Sequence, residues 1–135
     1  MSAFFDKNVL IYAFSNDESK RETAQETLAS GGVISVQVLN EFANVLRTKQ
    51  RQAWPRIEAA LNVAERWFET TLPLTQDTHR AARVLARDHG IAFNDALIVA
   101  AALEADCDTL YSEDLQHGRR FRDCVVVNPF RDDLL

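Results

Sequence analysis

Short apolar runs alternate with helical patterns along this chain of 135 residues. The runs lie at about 3–5, 32–35, 71–75, 109–112 and 124–128. The segments between them carry apolar residues at helical spacing, and residues 94–105 are apolar nearly all round, which is typical of a buried helix. Strands that alternate with helices favour a parallel sheet covered on both faces. We therefore predict an α/β fold, a three-layer α/β/α sandwich with a mainly parallel sheet of about five strands, formed by residues 1–135 as a single domain.

Asp6 stands at the end of the first apolar run, and a second apolar run follows at 9–12. This order indicates a buried strand that turns directly into a helix. In an open α/β sheet, ligands bind at the carboxyl ends of the strands, so Asp6 lies where a site is expected. A carboxylate in apolar surroundings is costly to desolvate unless a cation or hydrogen-bond donors compensate it.

Three further carboxylates stand at notable positions. Glu41 borders the apolar stripe of its predicted helix, Asp95 lies on the buried face of the apolar helix, and Asp114 follows the fourth apolar run. Each also has an ordinary structural explanation. Asp95 or Asn94 can cap a helix, Glu41 can be a rim charge, and Asp114 can be a turn residue.

Taken together, the four carboxylates indicate a metal site. Two acids at strand ends and two on helix faces would converge on one edge of the sheet. Carboxylates that are brought together there repel one another, and divalent cations relieve that repulsion. A ligand set that contains only oxygen favours Mg²⁺ or Mn²⁺ over zinc. Such a site activates water and binds phosphoryl oxygens during in-line displacement.

Five segments resemble, in order, those of PIN-domain ribonucleases, specifically the VapC toxins of bacterial toxin–antitoxin pairs. They are FDKNVLIY (5–12), SVQVLNEF (35–42), FNDALIVAAA (93–102), LYSEDL (110–115) and VNPF (127–130). The segments extend over nearly the whole chain at spacing similar to that of the family. Each segment alone is a weak signal, whereas the ordered set is a strong one.

The resemblance implies a PIN-like fold and a set of catalytic acids, which are Asp6, Glu41, Asp95 and Asp114. Three of these acids are expected to bind the metal, namely Asp6, Asp95 and Asp114. Polar side chains beside them are expected to support the site, namely Asn8, Ser112 and Glu113. The resemblance also implies endoribonuclease activity with Mg²⁺ or Mn²⁺, an RNA substrate, a homodimer, and inhibition by a small cognate antitoxin protein.

Lys7 departs from the family pattern, which usually has a small hydroxyl residue at this position. Its ammonium could contact an RNA phosphate, neutralise a carboxylate or point into solvent. We favour the solvent orientation, because a flexible ammonium readily reaches water. Arg119 and Arg120 are further candidates for RNA contacts, although a solvated run of charges also explains them.

Composition narrows the function classes. The formal charge of −5 gives no overall basic field, which is weak evidence against a nucleic-acid partner. A cluster of metal-binding carboxylates would itself supply part of the excess negative charge. Cys107 and Cys124 are too few for a zinc site, so we expect two small buried hydrophobic residues. The sequence contains no signal peptide and no apolar run of membrane-spanning length, from which we expect a cytoplasmic protein without a membrane partner.

Two other functions stay open at this point. A catalytically inactive PIN domain could serve only to bind proteins, but the full set of four acids argues against it. A receiver-like signalling domain also has an acidic Mg²⁺ pocket. It would need a lysine at the end of a late strand, and no lysine follows Lys49.

Overall fold

The computed structural model describes residues 2–131, so the predicted domain of 1–135 extends beyond the described residues at both ends. Within them, strands and helices follow the predicted alternation. The elements are β1 (Ala3–Phe5), α1 (Lys7–Ala13), α2 (Glu18–Ala29), β2 (Val33–Ser35), α3 (Val36–Thr48), α4 (Trp54–Arg66), β3 (Thr70–Leu72), α5 (Gln76–His89), α6 (Phe93–Glu104), β4 (Thr109–Tyr111), β5 (Arg120–Phe121) and β6 (Cys124–Val127).

The strands form one sheet in the order β3-β2-β1-β4-β6-β5. All neighbouring pairs are parallel except β5 and β6. The predicted α/β/α sandwich with a mainly parallel sheet is confirmed. The sequence did not reveal β5, because a strand of two residues is too short to show an alternating pattern. It joins β6 through a tight turn in which Arg122 adopts a left-handed backbone conformation, with φ of 55°.

Helix α6 packs against α5, α3 and β2 and is the most extensively buried helix among those described. Helix α1 packs against α2 and α3, α3 packs against α4, and α5 packs against α6. Every residue from Ala96 to Ala102 is buried, which confirms the buried helix that the apolar pattern predicted. Asp95 directly precedes this buried stretch and is only half-buried.

The central strands carry the first polar residues of the site to one edge of the sheet. Beyond the end of β1, the Asp6 backbone N–H donates to the carbonyl of Tyr111 at 2.9 Å. Beyond the end of β4, the Ser112 backbone N–H donates to the carbonyl of Val127 at 3.0 Å. Asp6 and Ser112 are therefore fixed by the sheet itself, since each continues the hydrogen-bond ladder one residue past its strand.

Helix α3 begins at the same edge of the sheet. The Ser35 hydroxyl, at the end of β2, accepts a hydrogen bond from the Val38 backbone N–H at 3.4 Å and caps the helix. This cap starts α3 directly after the strand. Glu41 is thereby placed in the second turn of α3, close to the carboxyl end of β2.

The cysteines and the lengths of the helices bear on two expectations drawn from composition. Cys107 and Cys124 are both buried and both are free thiols, which confirms the prediction of two small buried hydrophobic residues. Across residues 2–131, no helix has the length and apolar character that crossing a membrane requires.

Candidate metal centre

Asp6 is the most deeply buried ionisable group at the carboxyl edge of the sheet, with 1% of its surface exposed. One carboxylate oxygen accepts a hydrogen bond from the backbone N–H of Lys7 at 2.7 Å, which makes Asp6 the N-cap of α1. The other accepts from the Ser112 hydroxyl at 2.8 Å. Burial raises the pKa of Asp6, and the Asp114 carboxylate adds to this rise, while Lys7 and Ser112 oppose it.

Three carboxylates meet at this edge and form what we call the aspartate triad: Asp6, Asp95 and Asp114. Each offers one oxygen, and the three oxygens all lie within 4.8 Å of one another. Ionised carboxylates about 5 Å apart repel by about 3 kcal/mol per pair at an effective dielectric constant of about 20. The arrangement is therefore costly without a cation, and these are the three residues that the sequence predicted as metal ligands.

Asp95 is the third residue of α6, and it does not cap that helix. The N-cap is Ala92, and no side chain forms a capping hydrogen bond, so the capping explanation for Asp95 and Asn94 is wrong. Within residues 2–131, the Asp95 carboxylate has no hydrogen bond or ion pair. Burial raises its pKa, and the nearby Asp114 carboxylate raises it further. Its oxygens are consequently available to a ligand.

Asp114 is the most exposed member of the triad and is held by two side chains of α1. Its Oδ1 accepts a hydrogen bond from the Asn8 amide at 3.1 Å. Its Oδ2 accepts from the Lys7 ammonium at 2.6 Å. Asn8, which was predicted to support the site, thus contacts one of the expected metal ligands directly.

Lys7 points into the site, so the solvent orientation favoured from the sequence is wrong. Besides its bond to Asp114, the ammonium lies 3.3 Å from Glu41 Oε1. Only 17% of the Lys7 side chain is exposed. Burial by itself would lower the pKa of Lys7, but the carboxylates of Asp6, Asp114 and Glu41 outweigh it and raise that pKa. Attraction to several carboxylates therefore exceeds the gain from full hydration.

Glu41 lies beside the aspartate triad, on the far side of Lys7. Its Oε1 pairs with Lys7, and its Oε2 accepts a 3.5 Å hydrogen bond from the amide of Gln37, one turn earlier in α3. Burial raises the pKa of Glu41, whereas Lys7 lowers it. Gln37 was not among the predicted site residues, although its spacing of four residues from Glu41 places both on one face of the helix.

The other predicted supporting residues divide into two groups. Ser112 is fully buried and bonds directly to Asp6. Glu113 has a different partner, because its Oε1 accepts from the Tyr12 hydroxyl at 2.8 Å. The Lys20 ammonium lies 4.5 Å from the centre of the same Tyr12 ring. Glu113 thus anchors α1 from outside, and its contacts do not reach the aspartate triad.

The two arginines predicted to contact RNA have different surroundings. The Arg119 guanidinium donates to the carbonyl of His89 at 2.7 Å and lies 5.1 Å from the centre of the Phe121 ring. Arg120 is exposed on the edge strand β5. Arg119 thereby satisfies a carbonyl at the C-terminus of α5. The contact of either arginine with RNA stays a prediction.

The donor set matches a small divalent cation. It consists of three carboxylates, one of which, Asp95, has no hydrogen-bond or ion-pair partner in the described part of the chain. Mg²⁺ and Mn²⁺ prefer such oxygen ligands, whereas structural zinc sites use cysteine and histidine. The aspartate triad can therefore hold Mg²⁺ or Mn²⁺.

The PIN domain family matches residues 3–121, a span that contains the whole aspartate triad. No curated protein matches the chain significantly. The fold is shared with several solved structures, all of low sequence identity. One is a toxin–antitoxin complex from Klebsiella pneumoniae, with a TM-score of 0.69 and 23% identity, covering 96% of this chain and 98% of that chain.

Two further solved structures have the same fold. Mycobacterium tuberculosis VapC20, a toxin that cleaves the sarcin–ricin loop, gives a TM-score of 0.67 and 21% identity over 84% of this chain and 90% of its own. VapBC2 from Rickettsia felis, bound to a DNA fragment from its promoter, gives a TM-score of 0.67 and 17% identity. The match covers 93% of this chain and 97% of that chain. At these identities the similarity shows the fold alone.

The contacts of the triad predict different effects of two matched substitutions on the stability of the metal-free protein. In chelator, Asp95→Asn should melt no lower than the wild type, because it removes a carboxylate that its neighbours repel and that has no hydrogen-bond or ion-pair partner within residues 2–131. Asp114→Asn should melt lower than Asp95→Asn, because the loss of its ion pair with Lys7 offsets the repulsion that the substitution relieves. Differential scanning fluorimetry in EDTA measures both changes.

Millimolar Mg²⁺ or Mn²⁺ should raise the melting temperature of the wild type, since a ligand that binds only the native state stabilises it. The rise should be smaller in both variants. If metal leaves the wild type unchanged and Asp95→Asn causes a large loss in EDTA, then Asp95 has a structural role and the metal site is wrong.

Proposed function

This chain belongs to the PIN-domain family, and we propose that it is a Mg²⁺- or Mn²⁺-dependent endoribonuclease that acts as the toxin of a toxin–antitoxin pair. The observation that carries the proposal is the aspartate triad, in which three carboxylate oxygens lie within 4.8 Å of one another. We further propose that residues 1–135 are a single domain, and that the chain acts as a homodimer in the cytoplasm.

In this proposal, Asp6, Asp95 and Asp114 hold the metal ion. When bound, the ion supplies Lewis-acid chemistry, which activates water and stabilises charge on the scissile phosphate. No nucleophilic side chain is required. The chain's own contribution is preorganisation: the Ser112 hydroxyl fixes Asp6 and the Asn8 amide fixes Asp114, so both carboxylates are oriented in advance.

The burial of the triad also suits a large substrate. Asp6 forms the closed inner side, while Asp95 is half-buried and Asp114 is exposed. A phosphodiester can approach from the exposed side without any rearrangement of the sheet. The open side thus supports a polymeric substrate such as RNA.

Cleavage should depend on the acids acting as a unit. Asp6→Asn and Asp95→Asn should each reduce cleavage of structured RNA by roughly 100-fold or more, because a site that loses a metal ligand no longer stabilises the transition state. The matched control is Asp77→Asn. Asp77 pairs with Arg80 on the surface. It also lies far from the metal centre, because its neighbour Thr78 bonds to Glu104, and Glu104 is at the opposite end of α6 from Asp95.

Purified variants are compared in a gel assay with Mg²⁺ and with Mn²⁺, after circular dichroism has verified their folding. The Asp77→Asn control should cleave like the wild type. Near-normal cleavage by Asp6→Asn or Asp95→Asn would falsify the assignment. It would favour instead the inactive PIN domain that only binds proteins.

We also propose a protein partner, a small antitoxin encoded by the gene immediately upstream. A groove of about 310 Å³ lies beside α4 and is lined mainly by apolar side chains, including Phe14, Leu46, Ala59 and Val63. Phe14 is 40% exposed and stacks on Trp67. Such a groove suits the apolar face of a partner helix.

The groove is connected to the metal centre through two helices. Helix α1 begins with Lys7 and leads to Phe14, and α3 carries both Glu41 and Leu46. At about 1.5 Å per residue, these pairs are separated by only about 7–11 Å along the helices. One antitoxin segment could therefore fill the groove and extend an arginine or lysine to the acidic side chains, which would pair with it strongly.

A charge placed in the groove should weaken the complex with the antitoxin. Ala59→Glu introduces a carboxylate at an exposed position of α4 that lines the groove, and we expect it to weaken binding by about 10- to 100-fold. The matched control is Ala81→Glu at an exposed position of α5, which should bind normally. Binding is measured by calorimetry with the purified upstream protein.

Co-expression of that protein should relieve the growth arrest caused by the wild-type chain, and the purified complex should not cleave RNA. Relief should be weaker for Ala59→Glu. Unchanged growth arrest despite verified expression of the upstream protein would contradict the proposed partner. Equal binding by Ala59→Glu and Ala81→Glu would contradict the proposed groove.

A further inference from the structure

The ammonium of Lys7 occupies a defined position between two carboxylates of the site. It lies 2.6 Å from Asp114 Oδ2 and 3.3 Å from Glu41 Oε1, with 17% of the Lys7 side chain and 15% of the Glu41 side chain exposed. Both distances are those of direct ion pairs. The amide of Gln37 holds the other oxygen of Glu41, so this side of the site is built around the ammonium.

The acids of the site thus fall into two groups with different partners. The aspartate triad places three oxygens within 4.8 Å of one another and contains Asp95, whose carboxylate has no partner among the described residues. Glu41 is outside that triad and already has a cation. Asp114 belongs to both groups, because one of its oxygens binds Lys7 and the other accepts from Asn8.

We propose that the Lys7 ammonium is a built-in second cation between Glu41 and Asp114, and that the chain therefore binds one divalent ion, on the aspartate triad, rather than two. This inference rests on the proposed function. A second divalent ion between the same two carboxylates would have to displace the ammonium or lie against it. Two cations at such a distance repel each other strongly.

An ammonium in place of a second metal ion has a chemical consequence for phosphodiester cleavage. In sites with two metals, the ions together stabilise the attacking and the leaving oxygens of the phosphate. A lysine ammonium can take over part of that task, because it carries a positive charge and donates charge-assisted hydrogen bonds to phosphate oxygens. Lys7 is attached to the first turn of α1, so its charge is present at every metal concentration.

The test counts bound Mn²⁺ in the full-length protein. Mn²⁺ is titrated into the wild type and into Lys7→Met, which keeps a long side chain but removes the charge. Free Mn²⁺ is measured by electron paramagnetic resonance, and binding heat by calorimetry. Lys7→Arg retains the charge, and Lys49→Met makes the same change at an exposed position at the end of α3. Circular dichroism verifies folding.

We expect one bound Mn²⁺ per chain in the wild type, Lys7→Arg and Lys49→Met, and two in Lys7→Met. The double variant Lys7→Met/Glu41→Gln should return to one ion, because the second position has lost an acid. If Lys7→Met folds poorly, the count is made on Lys7→Gln, which also removes the charge but keeps a polar side chain, and two ions are expected there as well. The rate of RNA cleavage should depend more steeply on Mn²⁺ concentration in Lys7→Met than in the wild type.

The outcomes separate this inference from the proposed function. Two ions in the wild type, or one ion in folded Lys7→Met, overturn the role of Lys7 and leave the metal-dependent nuclease intact. Two ions in Lys7→Met/Glu41→Gln also overturn it, since the second ion would not depend on Glu41. Absence of Mn²⁺ binding by the wild type contradicts the proposed function itself.

Discussion

Repulsion among the aspartates at the edge of the sheet is the constraint on which the rest of this structure depends. The paired strands β1 and β4 bring Asp6 and the loop with Asp114 to the same edge, and the start of α6 adds Asp95. Hydrogen bonds within the fold support two of these three acids. The third, Asp95, has no such bond among the described residues. Its position is therefore maintained by the packing of α6, whose residues Ala96 to Ala102 are all buried.

The surroundings of the triad are arranged to tolerate this repulsion without removing it. Asp6 is held by a backbone N–H and by a hydroxyl, both of which favour its ionised form. Lys7 neutralises one side of the cluster through Asp114 and Glu41. Burial nevertheless raises the pKa values of Asp6, Glu41 and Asp95. A functional site that costs stability in this way is common in proteins, because its residues serve a ligand rather than the fold.

Sequence reasoning was most successful where local pattern and sheet topology decide the outcome. The apolar runs gave five of the strands, and the position of Asp6 after β1 follows directly from the first of them. The meeting of Asp6 with Asp114 followed from the rule that parallel strands place their carboxyl ends at one edge. Asp95 lies on a helix, so its place beside them was indicated by the buried face of that helix and by the family resemblance. The burial of α6 could be predicted equally well, since a helix that is apolar on all sides has to be buried.

The failures concern side-chain directions that depend on distant charges. Lys7 and Asp114 are 107 positions apart, and nothing local to Lys7 shows that its ammonium has two carboxylates within reach. Glu113 and Asp114 are neighbours in a loop, where no period of strand or helix determines which of them faces the site. Their division between Tyr12 and the metal centre is visible only once α1 is in place.

The most direct measurement of the central claim is the position of a bound ion. Crystals of the full-length protein grown with Mn²⁺, with diffraction recorded at the manganese absorption edge, locate the metal through its anomalous signal. The account predicts one peak within coordination distance, about 2.1 Å, of oxygens from Asp6, Asp95 and Asp114. The Lys7 ammonium should remain on Glu41. An anomalous map without a peak on these aspartates, at a Mn²⁺ concentration that supports RNA cleavage, would contradict it.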